Sequence, residues 1–285
     1  MTPLVAWLLG TAAIIALAWA SASARRLLYP RVPPRSETLH VALTVHQVTA
    51  PGGETWPVRV LAPAVPRGRL LLCHGYFASH RQVLEIGDGL RQRGYEVILL
   101  ELRGHGDRPG PCTLGVRETE DALATLAWAN GRAPLPLGML GFSMGGAIAC
   151  QAALQFPGVQ AVVLDSPYAR LYPVLARAIW AQYRLPGPAA WLTWWGAHAW
   201  LRRRLARVDP LEAAPRLRQP LLLIQGGQDQ RIAPCVSERL YDAWAGPKTR
   251  WTEPEVAHVS MFTQHHDEYV RRIGAFFDQH VGAAA

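Results

Sequence analysis

The clearest chemical pattern in this sequence is a serine with glycine two positions to either side, Gly141-Phe142-Ser143-Met144-Gly145, followed by Gly146. It falls between a short apolar run, Leu137 to Leu140, and the helix-like stretch AIACQAAL. In a strand, turn and helix of this kind the serine sits at the tip of a sharp turn, where side chains at the flanking positions would collide with neighbouring elements. Glycine at 141 and 145 lets the hydroxyl project. The helix that follows brings its positive end under the same oxygen, which favours developing negative charge. The chemistry predicted is nucleophilic attack on an acyl carbon.

A serine hydroxyl needs a base, and the sequence offers ten histidines. His258 stands in EPEVAHVSMF, after a possible last strand RWTEPE and before a closing helix, and is the predicted base. His265 and His266 are expected inside that helix and solvated, and His105 belongs to a loop, RGHGD. His40, His46, His80, His198 and His280 have no supporting context. The acid that would orient the base is expected at Asp229, in the loop after the apolar run LLLI, with Asp165 at the end of AVVLD as the second candidate. A tetrahedral intermediate also needs two backbone donors. Met144 N–H is one, and Tyr76 N–H, in Cys73-His74-Gly75-Tyr76 after the run LLLC, is the other. His74 and Gly75 then shape the oxyanion loop, His74 by a side-chain hydrogen bond and not as a base.

These residues need a scaffold, and the hydrophobic pattern supplies one. LHVALTVHQV and TWPVRVLAP, separated by Pro51-Gly52-Gly53, read as a hairpin. Then come LLLC, VILLEL, LGML, AVVLD and LLLI, too apolar to be half-exposed, alternating with helix-length segments. Strands apolar on both faces predict an α/β fold, a mainly parallel sheet with helices on both faces. Ser79 with Gln82 reads as a capping box and Gly94 as a helix stop. Glu118, Glu120 and Asp121 open a further helix that Asn130-Gly131 closes.

Taken together, GFSMGG, CHGY, ELRGHGD, QGGQD with IAP, and VAH resemble the α/β-hydrolase superfamily over roughly one whole domain. The resemblance is greatest to its esterase, monoacylglycerol-lipase-like and serine-aminopeptidase-like members, and the order Ser143, Asp229, His258 is the one expected there. It implies an eight-stranded sheet, no cofactor, and a short helical cap after the sixth strand, here about residues 167–208. Two departures stand out: Glu101 precedes the RGHG loop where such proteins commonly carry Asp, and Gly226-Gly227-Gln228 opens the acid loop in place of a histidine-glycine start. No metal-ligand set is apparent.

Upstream, Leu4 to Ala24 carries no charge and is long enough to span a membrane. Arg25, Arg26, Arg31 and Arg35 follow it and no basic residue precedes it, which predicts an inward-facing single-pass anchor with the catalytic domain in the cytoplasm. Ala22-Ser23-Ala24 also imitates a signal-peptide cleavage site, so export is the alternative. The expected division is an anchor over 1–24, a basic, proline-containing linker over 25–38 and the hydrolase domain over 39–282. The net charge of +8 comes almost wholly from arginine, with Lys248 the single lysine, and no nucleic-acid-reading module accompanies it. Cys73, Cys112, Cys150 and Cys235 form no disulfide or metal-binding spacing.

Within the predicted cap lie Trp180, Trp191, Trp194, Trp195 and Trp200, followed by Arg202, Arg203, Arg204 and Arg207. They read either as ordinary cap helices with a basic outer face or as a surface for the membrane interface. The expected function is hydrolysis of small or lipid-like carboxylic esters. A peptidase of the same fold, a non-catalytic membrane scaffold, and acyl transfer to an acceptor other than water are the alternatives.

Overall fold

The computed structural model describes residues 2–32, 41–184, 187–201 and 208–282. Its centre is an eight-stranded sheet. In chain order the strands are β1 (Thr44–Thr49), β2 (Thr55–Leu61), β3 (Gly68–Cys73), β4 (Tyr95–Leu100), β5 (Leu137–Phe142), β6 (Val159–Asp165), β7 (Leu221–Gly226) and β8 (Lys248–Glu253). Across the sheet they run β1-β2-β4-β3-β5-β6-β7-β8. β2 is antiparallel to both of its neighbours, and every other pairing is parallel.

Every residue of β3, β4, β5 and β7 is buried, as strands covered on both faces require. Their alternate side chains enter two separate cores. Leu71, Ile98 and Met139 point to one, and Leu70, Leu72, Val97, Leu99 and Leu140 to the other. The first core is closed by α3 (Val116–Arg132), α4 (Met144–Gln155) and α8 (Pro234–Ala243), the second by α2 (Leu84–Gln92), α9 (Met261–Gln264) and α10 (His266–His280). The short α7 (Pro210–Ala213) leads back to the sheet after the cap, its N-terminus capped by Asp209.

Several local expectations shift. Ser79 caps only a single tight turn, His80–Gln82, and Gln82 turns its side chain to Gly75, so the α-helix starts later, at Leu84. Gly94 does follow that helix in the left-handed region, at φ +91°. α3 continues through Asn130 and Gly131 to Arg132. Glu118 at its start is buried, taking the Gly115 N–H and both donors of Thr113. Strand β1 begins at Thr44, after the apolar start of the segment read as its strand. His265 and His266 sit where α9 gives way to α10, and not within one helix.

The N-terminal helix α1 (Pro3–Leu28) is long and apolar enough to cross a membrane. It does not stop at Ala24 but continues through Arg25 and Arg26 into the segment read as linker. The physical reason is packing: Ala20, Ala24 and Leu28, one face at a spacing of four, are buried, and Leu28 is part of the first core. Residues 33–40, with Arg35 and His40, lie outside the described residues. The cap consists of α5 (Leu171–Tyr183) and α6 (Gly187–Leu201), inserted after β6. Arg202, Arg203, Arg204 and Arg207 lie outside the described residues.

Candidate active site

Ser143 ends the turn between β5 and α4 with φ +50° and ψ −110°, a conformation that L-residues avoid. Sterics make the flanking glycines obligatory. A Cβ on Gly141 would stand 2.3 Å from Gly145 O, and one on Gly145 would stand 2.2 Å from Cys73 O, backbone against backbone in both cases. Gly75 differs, since a Cβ there would meet nothing closer than 3.5 Å.

The loops after β5, β7 and β8 bring three side chains into one line. His258 Nε2 lies 3.2 Å from Ser143 Oγ, and His258 Nδ1 lies 2.6 Å from Asp229 Oδ2. Asp229 is buried, and its other oxygen accepts from the N–H groups of Arg231 (2.9 Å) and Ile232 (2.8 Å). A fourth donor is Gln225 Nε2, at 3.1 Å from Oδ2, and Gln225 is itself fixed by the Ser237 hydroxyl at 2.6 Å. A carboxylate held this way keeps one face toward Nδ1 of the imidazole, so Nε2 is left to face the serine.

Asp165, the second candidate acid, is spoken for elsewhere. Its carboxyl accepts from Ser166 Oγ at 2.9 Å and Tyr269 Oη at 3.0 Å. Burial pushes its pKa up to about 6, against the lowering effect of those two donors.

The loop after β3 is set by a small buried network. His74 Nδ1 lies 2.8 Å from Gly75 O, while its Nε2 lies 3.1 Å both from the Leu102 N–H and from Glu101 Oε1. Glu101 is fully buried and also binds the ring of His80 and, at 3.2 Å, the His80 N–H. Burial alone would raise its pKa, but the hydrogen bonds from His74 and His80 outweigh it and hold the carboxyl down to about 2. His74 therefore touches neither Ser143 nor Asp229. Gln82 Oε1 accepts the Gly75 N–H at 2.8 Å. Tyr76 reaches out of the loop, its hydroxyl donating to Leu27 O at 2.6 Å, and Cys112 N–H donates to Leu28 O at 2.7 Å.

Ser143, Met144, Tyr76 and His258 open into a cavity of about 330 Å³. Leu114, Tyr168 and Ile232 wall it from the body, Leu171, Val174, Leu175, Ala178 and Ala181 from α5, and Leu27 from α1. Sequence reading missed four of these participants. Glu101 and His80 are distant in sequence, and Gln82 was assigned to a helix cap. Gln225 lies within a strand, where alternation alone gives no hint of its partner. Among the described residues no cluster of three or more His, Cys, Asp or Glu side chains has metal-binding geometry. Cys73, Cys112 and Cys150 are buried free thiols, and Cys235 is exposed.

Comparison with known proteins places this architecture. Residues 68–207 match the family model described as alpha/beta hydrolase fold. An uncharacterized protein of Mycobacterium tuberculosis is 32% identical over 194 residues, covering 66% of this chain and 62% of its own length. The uncharacterized protein YqkD of Bacillus subtilis is 26% identical over 227 residues, 76% of this chain and 73% of that one. An esterase of Pyrococcus furiosus superposes with a TM-score of 0.74 at 21% identity, over 89% of this chain and 98% of that one. The esterase domain of a Rhodothermus marinus protein does so at 0.64 and 19% identity, over 84% and 99%. At those identities the likeness is one of fold. Sheet order, fold likeness and family match agree that the chain has the α/β-hydrolase fold.

Proposed function

We propose that this chain is a membrane-anchored serine hydrolase of carboxylic esters with apolar acyl groups. The carrying observation is the line Asp229, His258, Ser143 at the floor of a cavity walled mainly by aliphatic side chains. Ser143 attacks the acyl carbonyl while His258 Nε2 takes its proton, and Asp229 stabilises the imidazolium. The N–H groups of Met144, at the start of α4, and Tyr76 hold the oxyanion. Collapse expels the alcohol with the proton from His258. Water, deprotonated by the same histidine, then splits the acyl-enzyme to acid and free serine.

The anchor reading rests on the length and composition of α1 and on the arginines that follow it. It places the catalytic domain in the cytoplasm. Fluorophosphonate labelling of wild type and Ser143→Ala tests the nucleophile. Labelling is expected to vanish in the variant, and p-nitrophenyl esters of increasing chain length should reveal a preference beyond acetate. Labelling that survives the substitution would sink the assignment.

A further inference from the structure

We propose that α6 and the end of α1 form one lipid-facing surface holding the outer end of the active-site cavity at the bilayer, so that the substrate is a single-chain acyl ester drawn sideways from the membrane. The proposal rests on the hydrolase reading above and specifies where its substrate comes from.

Length comes first. Between Pro3 and Ala18 no residue of helix α1 is fully buried, and Trp7, Leu8, Leu9, Ile14, Ile15 and Leu17 are exposed. That free part is about 25 Å long at 1.5 Å per residue, whereas a hydrocarbon core is about 30 Å thick. The shortfall is roughly one helical turn. The turn beginning at Trp19, which packs on the cap, therefore lies at the hydrocarbon boundary, and the exposed Arg25 and Arg26 lie among the headgroups.

Alignment of α6 follows from two contacts. Gly196 meets Ala20 and Ala24 so closely that a Cβ there would stand 2.9 Å from Ala20 O. Trp200 packs on Tyr29 with ring centroids 6.5 Å apart. The two helices thus run side by side in the same direction, small residue against small residue. The Gly187 end of α6 points toward the bilayer and the Trp200 end away from it.

Cavity and bilayer meet at that end. The wall of the cavity follows α5 from Leu171 past Ser143 to Ala181, close to where the chain turns into α6. Outside the cavity, Trp180, Trp191 and Trp195 are each about half exposed, at 51%, 52% and 54%. Exposed tryptophan in such number is the residue choice of the headgroup zone, and it lies on the cap helices of which α6 packs along α1.

The test uses the full-length chain in nanodiscs of phosphatidylcholine and phosphatidylglycerol. In a Cys235→Ser background, nitroxide labels are placed through Trp191→Cys and Trp195→Cys, with Val65→Cys, an exposed site on a loop of the body, as the water-facing control. Labels at 191 and 195 are expected to collide preferentially with oxygen, and the label at 65 with a water-soluble nickel chelate. Water-like access at 191 and 195 overturns the proposal, and so does shielding from both reagents, the signature of a second copy covering the face. In a parallel assay the double variant Trp191→Gln, Trp195→Gln is expected to lose about tenfold of its turnover of monolauroylglycerol in the disc, as loss of two interfacial anchors implies. Its turnover of p-nitrophenyl butyrate should be unchanged. If the wild type cleaves neither ester and takes no fluorophosphonate, the hydrolase reading fails, while the label depths still decide the surface. If it cleaves both and the double variant slows them equally, the lipid route fails and the hydrolase reading stands.

Discussion

The hydroxyl of Tyr76 donates to the main-chain carbonyl of Leu27 at 2.6 Å, tying the loop that carries a candidate oxyanion donor to the last turn of the N-terminal helix. Burial pushes this phenol well above its ordinary range, so it remains a neutral donor at every pH an enzyme meets. Tyr76→Phe keeps the ring and removes only the bond. It is expected to cost about 1 kcal/mol of stability and a few-fold in kcat with KM little changed. Denaturant unfolding and steady-state kinetics on a soluble ester check both, and an unaltered kcat would show that the tie does not bear on the loop.

Gln225 offers a second handle on the same machinery, because it touches Asp229 and not the serine or the histidine ring. Gln225→Leu removes one donor from the carboxylate and leaves Ser237 without its acceptor on that side chain. A loss of about 1 kcal/mol of transition-state stabilisation, roughly fivefold in kcat/KM, is expected. Gln225→Glu should do more harm, since it sets a second carboxylate beside Asp229. Comparing kcat/KM of the two variants on one soluble ester checks that order.

Two buried carboxylates predict opposite responses to pH. Asp165 has its pKa raised in the fold, from 3.8 to about 6, so the native state binds the extra proton and stability falls as pH rises through that window. Glu101 has its pKa lowered, from 4.5 to about 2, so its contribution is present above the unfolded value and is lost as pH falls toward 2. Each amounts to roughly 3 kcal/mol in magnitude. Asp165→Asn should flatten the stability curve between pH 4 and 6, and Glu101→Gln should flatten it below pH 4.5, in urea titrations at a series of pH values.

The glycines of the two motifs are not equivalent. Gly145→Ala puts a methyl group 2.2 Å from a backbone oxygen and is expected to abolish soluble, folded protein. Gly75→Ala meets ordinary contacts beginning at 3.5 Å and should leave the thermal midpoint within a few degrees of wild type. Comparison of the two melting curves checks the contrast.

Much of this was legible in the sequence, for identifiable reasons. Strands β3 to β7 announce themselves because burial on both faces leaves no polar alternation to misread, and Ser143 because its turn tolerates only glycine around it. Asp229 and His258 were readable as residues just past strand ends, the positions from which loops at one edge of a parallel sheet converge. The Glu101 network was not readable, since its partners His74 and His80 are joined only through the fold. Nor was the reach of α1: Arg25 and Arg26 look like the end of an apolar helix, yet both point outward while Ala24 and Leu28 carry the same helix into the core. Charge in the sequence marks a surface, and a helix can have a surface and a buried face at once.

The pairing of α1 with α6 also sets an order of events during biosynthesis. The face made by Ala20 and Ala24 emerges early from the ribosome, but Gly196, which receives it, is made only after most of the sheet. Until then that face lacks its α6 partner, and a bilayer is a solvent that can shelter it. Cap closure is then a late capture of an already positioned helix, and the cavity is completed only when Ile232 and His258, made later still, join the wall that Leu27 contributes.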